Sequence, residues 1–303
     1  MTFPFTKYSK IYYLFSGILI AASIASLVMF GLKFGIEFTG GSNMEVEFVS
    51  QRPGNEEISQ KLAEFNLGEI TIQPTGEKGA ILRFKGVDEE THQKILSKLN
   101  ELSEVAEKNF QYIGPSIGDE LKNKTMLSIA LALLAITLYI AFAFRKVSKP
   151  ISSWKYGITS LIALFHDIII PVGLFSLLGH FYNVEITIPI IAALLTVLGF
   201  SVHDTIVIFD RVRENILRGG TPSFKETVDL SLNQTVGRSV STVFTTLLVL
   251  FAIFFFGGET LRYFSLALIV GIAAGVYSSI FIASSLLVSW LTFDEKRLAK
   301  KRG

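Results

Sequence analysis

Apolar residues in this chain run in long blocks, with neither the strict alternation of a strand nor the three-to-four spacing of an amphipathic helix. Six blocks, near residues 11–32, 126–144, 156–178, 188–209, 240–256 and 264–291, match the roughly 20 helical residues that cross a hydrocarbon core about 30 Å thick. Six transmembrane helices are therefore predicted. The first block has the apolar run of a signal peptide, but it is too long and lacks a convincing small-residue cleavage site, so it reads as a retained anchor.

The stretch between the first two blocks follows a different pattern. Residues 44–48 alternate as a strand, and 56–65 carry Ile58, Leu62 and Phe65 at helical spacing behind acidic residues. Residues 70–73 and 80–84 read as strands around the turn-forming 74–79. Asp88 is placed to cap a second helix carrying Ile95 and Leu99, and 110–113 supply a last strand. This β-α-β-β-α-β order predicts a small α+β domain of ferredoxin-like type. Three segments result: 1–34 with the first helix, 35–122 as the α+β domain, and 123–303 with helices two to six and a basic tail. His92 falls on a polar face of the second domain helix and is read as solvated. With no Ser, His and Asp set in the domain, a docking or lever element is favoured over an enzyme.

Composition supports the membrane class: half of the 303 residues are hydrophobic and 18% are charged. A net charge of +2, with Lys and Arg at the ends of apolar blocks, argues against nucleic acid as a partner. The chain has no cysteine, which excludes disulfides and thiolate chemistry, and no metal or cofactor set stands out. Basic residues precede the first block (Lys7, Lys10), join the second to the third (Arg145, Lys146, Lys149, Lys155) and follow the fourth (Arg211, Arg213, Arg218, Lys225). They also close the chain (Lys296, Arg297, Lys300, Lys301, Arg302). The positive-inside rule then places both termini in the cytoplasm and the α+β domain outside it.

Candidate chemistry lies within the apolar blocks. Asp204 precedes Asp210 by six residues, roughly 9 Å of helix, which puts it inside the span but nearer the cytoplasmic end. Ionised groups at such depth are costly unless they face partners or a water-filled path, so Asp204 is a candidate proton or ion site. Burial disfavours a charged carboxylate and a nearby cation favours it, so an Asp with a movable Arg partner can load and release a proton. Arg238, just before the fifth block, is the candidate partner; its alternative is snorkelling to the headgroups. Ser241 or Thr242 and then Thr245 continue from it at helical spacing as a polar stripe leading inward, or as interhelical glue. His166 and Asp167, in the third block, are a relay extension or a packing pair, and His203 either tunes Asp204 or faces headgroups. Gly271 and Gly275 have the spacing that permits close helix approach.

Several motifs together resemble the SecF family, which assists protein export. They are Phe34-Gly-Ile-Glu-Phe-Thr-Gly-Gly41, Ile113-Gly-Pro-Ser-Ile-Gly-Asp-Glu-Leu121 and Phe165-His-Asp167. To these add Gly199-Phe-Ser-Val-His-Asp-Thr205 running into Phe209-Asp-Arg-Val-Arg-Glu-Asn215, and Ser231-Leu-Asn-Gln-Thr-Val-Gly-Arg-Ser239. Phe200 and Gly237 stand where that family commonly has Tyr and Ser. The resemblance implies a resistance-nodulation-division type half bundle in the bacterial cytoplasmic membrane, driven by the proton gradient without a cofactor, with Asp204 and Arg238 on the proton pathway. It implies SecD as partner, then the SecYEG channel through a YajC-type accessory, the translocating preprotein and membrane lipids. The rival readings are half of an exporter of lipids or small molecules, for which the chain is short, and an intramembrane aspartyl protease using Asp167 and Asp204. The Ser-Val-His-Asp setting of Asp204 speaks against the protease.

Overall fold

The computed structural model describes residues 3–145, 150–219 and 221–302, without the side chains of Glu259, Thr260, Lys301 and Arg302. Lys146 and Lys149, and the side chains of Lys301 and Arg302, which entered the charge count above, lie outside the described residues. The chain forms two compact units: Met1–Gly31 with Ser128–Leu178 and Pro189–Gly303, and Leu32–Leu127 with Gly179–Ile188.

The second unit holds a four-stranded sheet of β1 (Gly41–Phe48), β2 (Thr71–Thr75), β3 (Gly79–Phe84) and β4 (Val105–Ile113) in the order β2-β3-β1-β4. All pairings are antiparallel, and a bulge between Glu45 and Val46 offsets β1 against β4. Helix α3 (Asn55–Leu62) joins β1 to β2 and α4 (Glu89–Leu102) joins β3 to β4, which is the ferredoxin-like order. Alternation sends Met44, Val46 and Phe48 of β1 inward with Ala80, Leu82 and Phe84 of β3, against Ile58 and Leu62 of α3 and Ile95 and Leu99 of α4. Asp88 caps α4 through a hydrogen bond from the Thr91 amide, 2.9 Å.

The strands reach further than the sequence patterns indicate, because pairing partners extend β1 back to Gly41 and β4 back to Val105. The short helix α2 (Ile36–Thr39) ends in the two glycines. Gly40 has φ +74° and Gly41 φ +144°; a Cβ on Gly40 would sit 2.9 Å from the Pro115 Cα, and one on Gly41 2.8 Å from the Phe84 carbonyl oxygen. Only glycine meets both conditions at once, the left-handed backbone and the close approach.

His92 departs from expectation. It is buried, not solvated: its ring stacks on Phe110 at 3.7 Å, Nε2 lies 3.0 Å from Glu107 and Nδ1 3.2 Å from Glu89. The reason is helical phase, since positions 92, 95 and 99 share one face and Ile95 and Leu99 point into the core.

The first unit contains the membrane-crossing part of the chain. Among the described residues, six helical segments are long and apolar enough to cross a membrane. Helix α1 (Ser9–Phe30) follows a 3₁₀ turn, Phe5–Tyr8; α5 (Pro115–Ala143), α6 (Ser153–Tyr182), α7 (Ile188–Arg218) and α8 (Phe224–Phe256) are continuous. The sixth segment is broken: α9 (Glu259–Tyr277) runs through a π-helical turn, Ser278–Ala283, into α10 (Ser284–Arg302). Small residues set the closest approaches. A Cβ on Gly271 would lie 2.3 Å from Val197, one on Gly275 3.1 Å from Ser201, and one on Gly173 2.4 Å from Ser23. The Gly271 and Gly275 pair therefore seats α9 on α7. Tyr156 packs on Phe144 (5.1 Å) and Phe209 (5.2 Å), joining α6 and α7 to the end of α5. The Thr6 amide and hydroxyl both bond Asp229 at 2.8 Å, pinning the N-terminal turn to α8.

Leu99→Ala should weaken the α+β core by about 2–5 kcal/mol, as large-to-small core changes do. The exposed Ser97→Ala should change it by less than about 0.5 kcal/mol. Hydrogen exchange of β1 and α4 amides in the full-length protein reads both.

Candidate functional site: two carboxylates in the apolar helices

Asp167 and Asp204 both lie inside apolar helices, and the structure treats them in opposite ways. Asp167, on α6, is fully buried. Its Oδ2 accepts hydrogen bonds from the Ser201 hydroxyl of α7 at 2.5 Å and the Ser278 hydroxyl of the π-helical turn at 2.8 Å. Its Oδ1 lies 2.9 Å from His166 Nδ1. Next to it the Thr205 and Ser279 hydroxyls pair at 2.8 Å, and Ser279 donates to the Ser201 carbonyl at 3.3 Å. Ser284 donates to the Ser279 carbonyl five residues back, at 3.0 Å. A π-type turn shifts its carbonyls off the regular i−4 amide, and the Ser284 hydroxyl serves one of them inside the protein.

Asp204 is on α7, one turn beyond Ser201, at the border of the buried face and 9% exposed. Among the described residues it receives no hydrogen bond and forms no ion pair. His203 precedes it in sequence, but the 100° turn between successive residues puts that side chain on the outward face, where it is exposed.

Arg238 does not pair with Asp204 in this structure. It is exposed and lines a cavity of about 260 Å³ together with Val207, Asp210, Arg211, Glu214, Gln234 and Thr235. Val207 follows Asp204 by three residues on the same side of α7, so the cavity begins roughly 4.5 Å along the helix from the carboxylate. Arg211 is held by Glu214 at 2.7 Å and Arg213 by Asp210 at 3.3 Å, whereas Arg238 has no such partner among the described residues. Thr242 and Thr245 are exposed, as is Ser241, and the Thr245 hydroxyl is bonded to the Thr242 carbonyl at 2.8 Å. The polar stripe on α8 thus lies on the outer surface of this unit.

The sequence reading located His166 and Asp167 but not the hydroxyls that hold Asp167. The available signal was the repeated serine pairs, 278–279 and 284–285, in an otherwise apolar span. Six residues apart, they do not share a face of a regular α-helix, and the π turn is what adjusts their phase.

Comparison with known proteins assigns this arrangement to a family. A profile described as "Protein export membrane protein SecD/SecF, C-terminal" matches residues 92–293, and one described as "SecD/SecF GG Motif" matches 25–51, which includes Gly40 and Gly41. Protein translocase subunit SecF of Thermobaculum terrenum is 42% identical over 96% of this chain and 94% of its own length. That of Rhodothermus marinus is 39% identical over 94% and 92%. The chain belongs to the SecF family. Among solved structures, the crystal structure of SecDF from Thermus thermophilus, described as a translocon-associated membrane protein, matches with a TM-score of 0.84, 32% identity and 96% of this chain covered. A super-membrane-facing form of SecDF matches with a TM-score of 0.71. This chain spans only about two fifths of those SecDF chains, 39% and 40%.

If Asp167 is the acceptor that joins α6, α7 and the π turn, removing it strands buried donors at about 1–3 kcal/mol each. Asp167→Ala should therefore lower the thermal stability of the detergent-solubilised protein well below that of Asp167→Asn, which keeps an acceptor oxygen. Equal stability of the two variants would contradict the assignment.

Proposed function

We propose that this chain is the SecF half of a two-part accessory to the Sec translocase, and that proton passage at Asp204 powers its assistance to protein export. The observation that carries the proposal is the contrast between the two carboxylates. Asp167 is held by several donors, whereas Asp204 has none among the described residues and stands one turn from a polar cavity. A carboxylate already held by several donors is a poor proton carrier, and one that the protein leaves free is a good one.

In this reading the termini are cytoplasmic, the α+β domain is outside, and the Arg238 cavity is the cytoplasmic route by which Asp204 exchanges its proton. Arg238, without an ion-pair partner among the described residues, is a cation whose approach to Asp204 favours the ionised form and whose retreat favours the protonated one. The names of the relatives support the export role, and the share of SecDF left uncovered here supports a SecD-like chain as the missing part. The outward hydroxyls of α8 and the outward His203 are polar groups that lipid serves badly and partner helices serve well. The SecYEG channel, a YajC-type accessory and the preprotein follow as further partners. The work is mechanical, with the proton gradient as energy source and no bond chemistry or cofactor of its own.

Asp204→Asn should abolish gradient-dependent stimulation of secretion in vesicles while leaving insertion and assembly with the SecD-like partner intact; undiminished stimulation would overturn the proposal. Arg238→Lys should retain a large part of the stimulation and Arg238→Leu should lose about tenfold or more, since a cation facing a desolvated carboxylate is worth more than about 1.4 kcal/mol. Equal activity of the two would reduce Arg238 to a headgroup anchor.

A further inference from the structure

The connection between α6 and α7 is built into the α+β unit, although neither helix belongs to its sheet. Ile186 forms a parallel bridge with Phe34, with the Gly35 amide donating to the Ile186 carbonyl at 2.9 Å and the Ile186 amide to the Lys33 carbonyl at 2.7 Å. The Lys33 ammonium donates to the Asn183 side chain at 3.1 Å. Glu185 is carried inward by this pairing to 8% exposure, where its Oε2 lies 3.6 Å from Arg83 on β3 and has no hydrogen-bond partner. Arg83 is itself steadied by Gln73 of β2 at 3.1 Å. Two residues past the bridge, Ile188 begins α7, the helix that carries Asp204.

We propose that the 183–187 segment is a strap docked on the α+β domain, and that Arg83 is the positioning residue that holds it there by answering the buried Glu185 carboxyl, and so ties the Asp204 helix to the sheet. The proposal rests on the reading of Asp204 given above for its role in secretion, but the docking itself does not. A helix that moves when Asp204 changes its protonation can act on the outer domain only through connections that hold. The strap supplies one in addition to the covalent links through α1 and α5.

The clasp has a definite pH sense. Burial pushes the Glu185 carboxyl above the usual carboxylate range; Arg83 and Lys33 oppose this, and Glu37 and Glu69 add to it. Lys122 of α5 lies 5.7 Å over the ring of Phe34, the residue that Ile186 bridges. A carboxyl whose affinity for a proton is higher when docked than when free is docked more firmly with the proton on. Docking is therefore favoured below the titration of the free acid and weakens as pH rises through that of the buried one. Acidification of the outer face tightens the strap.

Hydrogen exchange of residues 32–36 and 179–188 in the intact chain, corrected for the intrinsic pH dependence of exchange, tests this, with α4 amides reporting that the domain is folded. Protection of the Gly35 and Ile186 amides should fall with rising pH, no more steeply than about tenfold per unit for one proton. Glu185→Gln should hold high protection at every pH. Arg83→Gln should lower protection near neutrality, and adding Glu185→Gln should restore it. Flat protection in the wild type, or Arg83→Gln matching the wild type, would overturn the proposal. In secretion assays Arg83→Gln should lower gradient-dependent stimulation severalfold and the double variant should recover it; loss without recovery would overturn the coupling role. Wild-type secretion by Asp204→Asn would instead defeat the reading of Asp204, while the exchange data still decided the strap.

Discussion

The constraint on which this structure depends is that a polar group inside an apolar helix bundle must be answered by protein, or else left open for something that comes and goes. Asp167 shows the first outcome. Its carboxylate gathers Ser201, Ser278 and His166 from three separate elements, and the π-helical turn exists where those serines are needed. Asp204, one turn beyond Ser201 on α7, shows the second. Held donors stabilise the bundle at Asp167, whereas Asp204 receives no hydrogen bond among the described residues.

The rest of the first unit follows from seating these helices closely enough to make that contrast sharp. Glycines at 271 and 275 bring α9 onto α7 and place the π turn against Ser201. The cavity holding Arg238 then opens on the side of α7 that Asp204 borders, with Val207 between them. In the second unit, Gly40 and Gly41 close the start of β1 against Pro115 and Phe84. The strap at Ile186 gives the same unit a hold on the connection that leads into α7. The site, the domain and the link between them are separate local solutions, each with its own residues.

Much of this was legible in the amino-acid sequence. Block length alone marks the six apolar segments, and alternation with caps marks the ferredoxin-like order, because both reflect short-range periodicity. Partner strands lengthened β1 and β4, which no local pattern encodes. His92 was misread because its polarity drew attention from its phase with Ile95 and Leu99. The Asp167 network was half visible: the carboxylate stood out, but its hydroxyl partners lie 34 and 111 residues away along the chain. The sequence reading put Arg238 and Asp204 at similar depth, yet whether they meet depends on side-chain position that depth cannot supply. Glu185 drew no notice as a loop residue, since its segment pairs with one some 150 residues earlier and its charge neighbour Arg83 lies on β3, about 100 residues earlier.

The most direct measurement is infrared difference spectroscopy of the reconstituted protein across a pH titration, following the C=O stretch of protonated carboxyl groups inside the bundle. In a Glu185→Gln background, which removes the buried carboxyl of the strap, the account predicts a titrating carboxyl band that is absent when Asp204→Asn is added and retained when Asp167→Asn is added. In that background, a band that survives Asp204→Asn, or that disappears with Asp167→Asn, would contradict it.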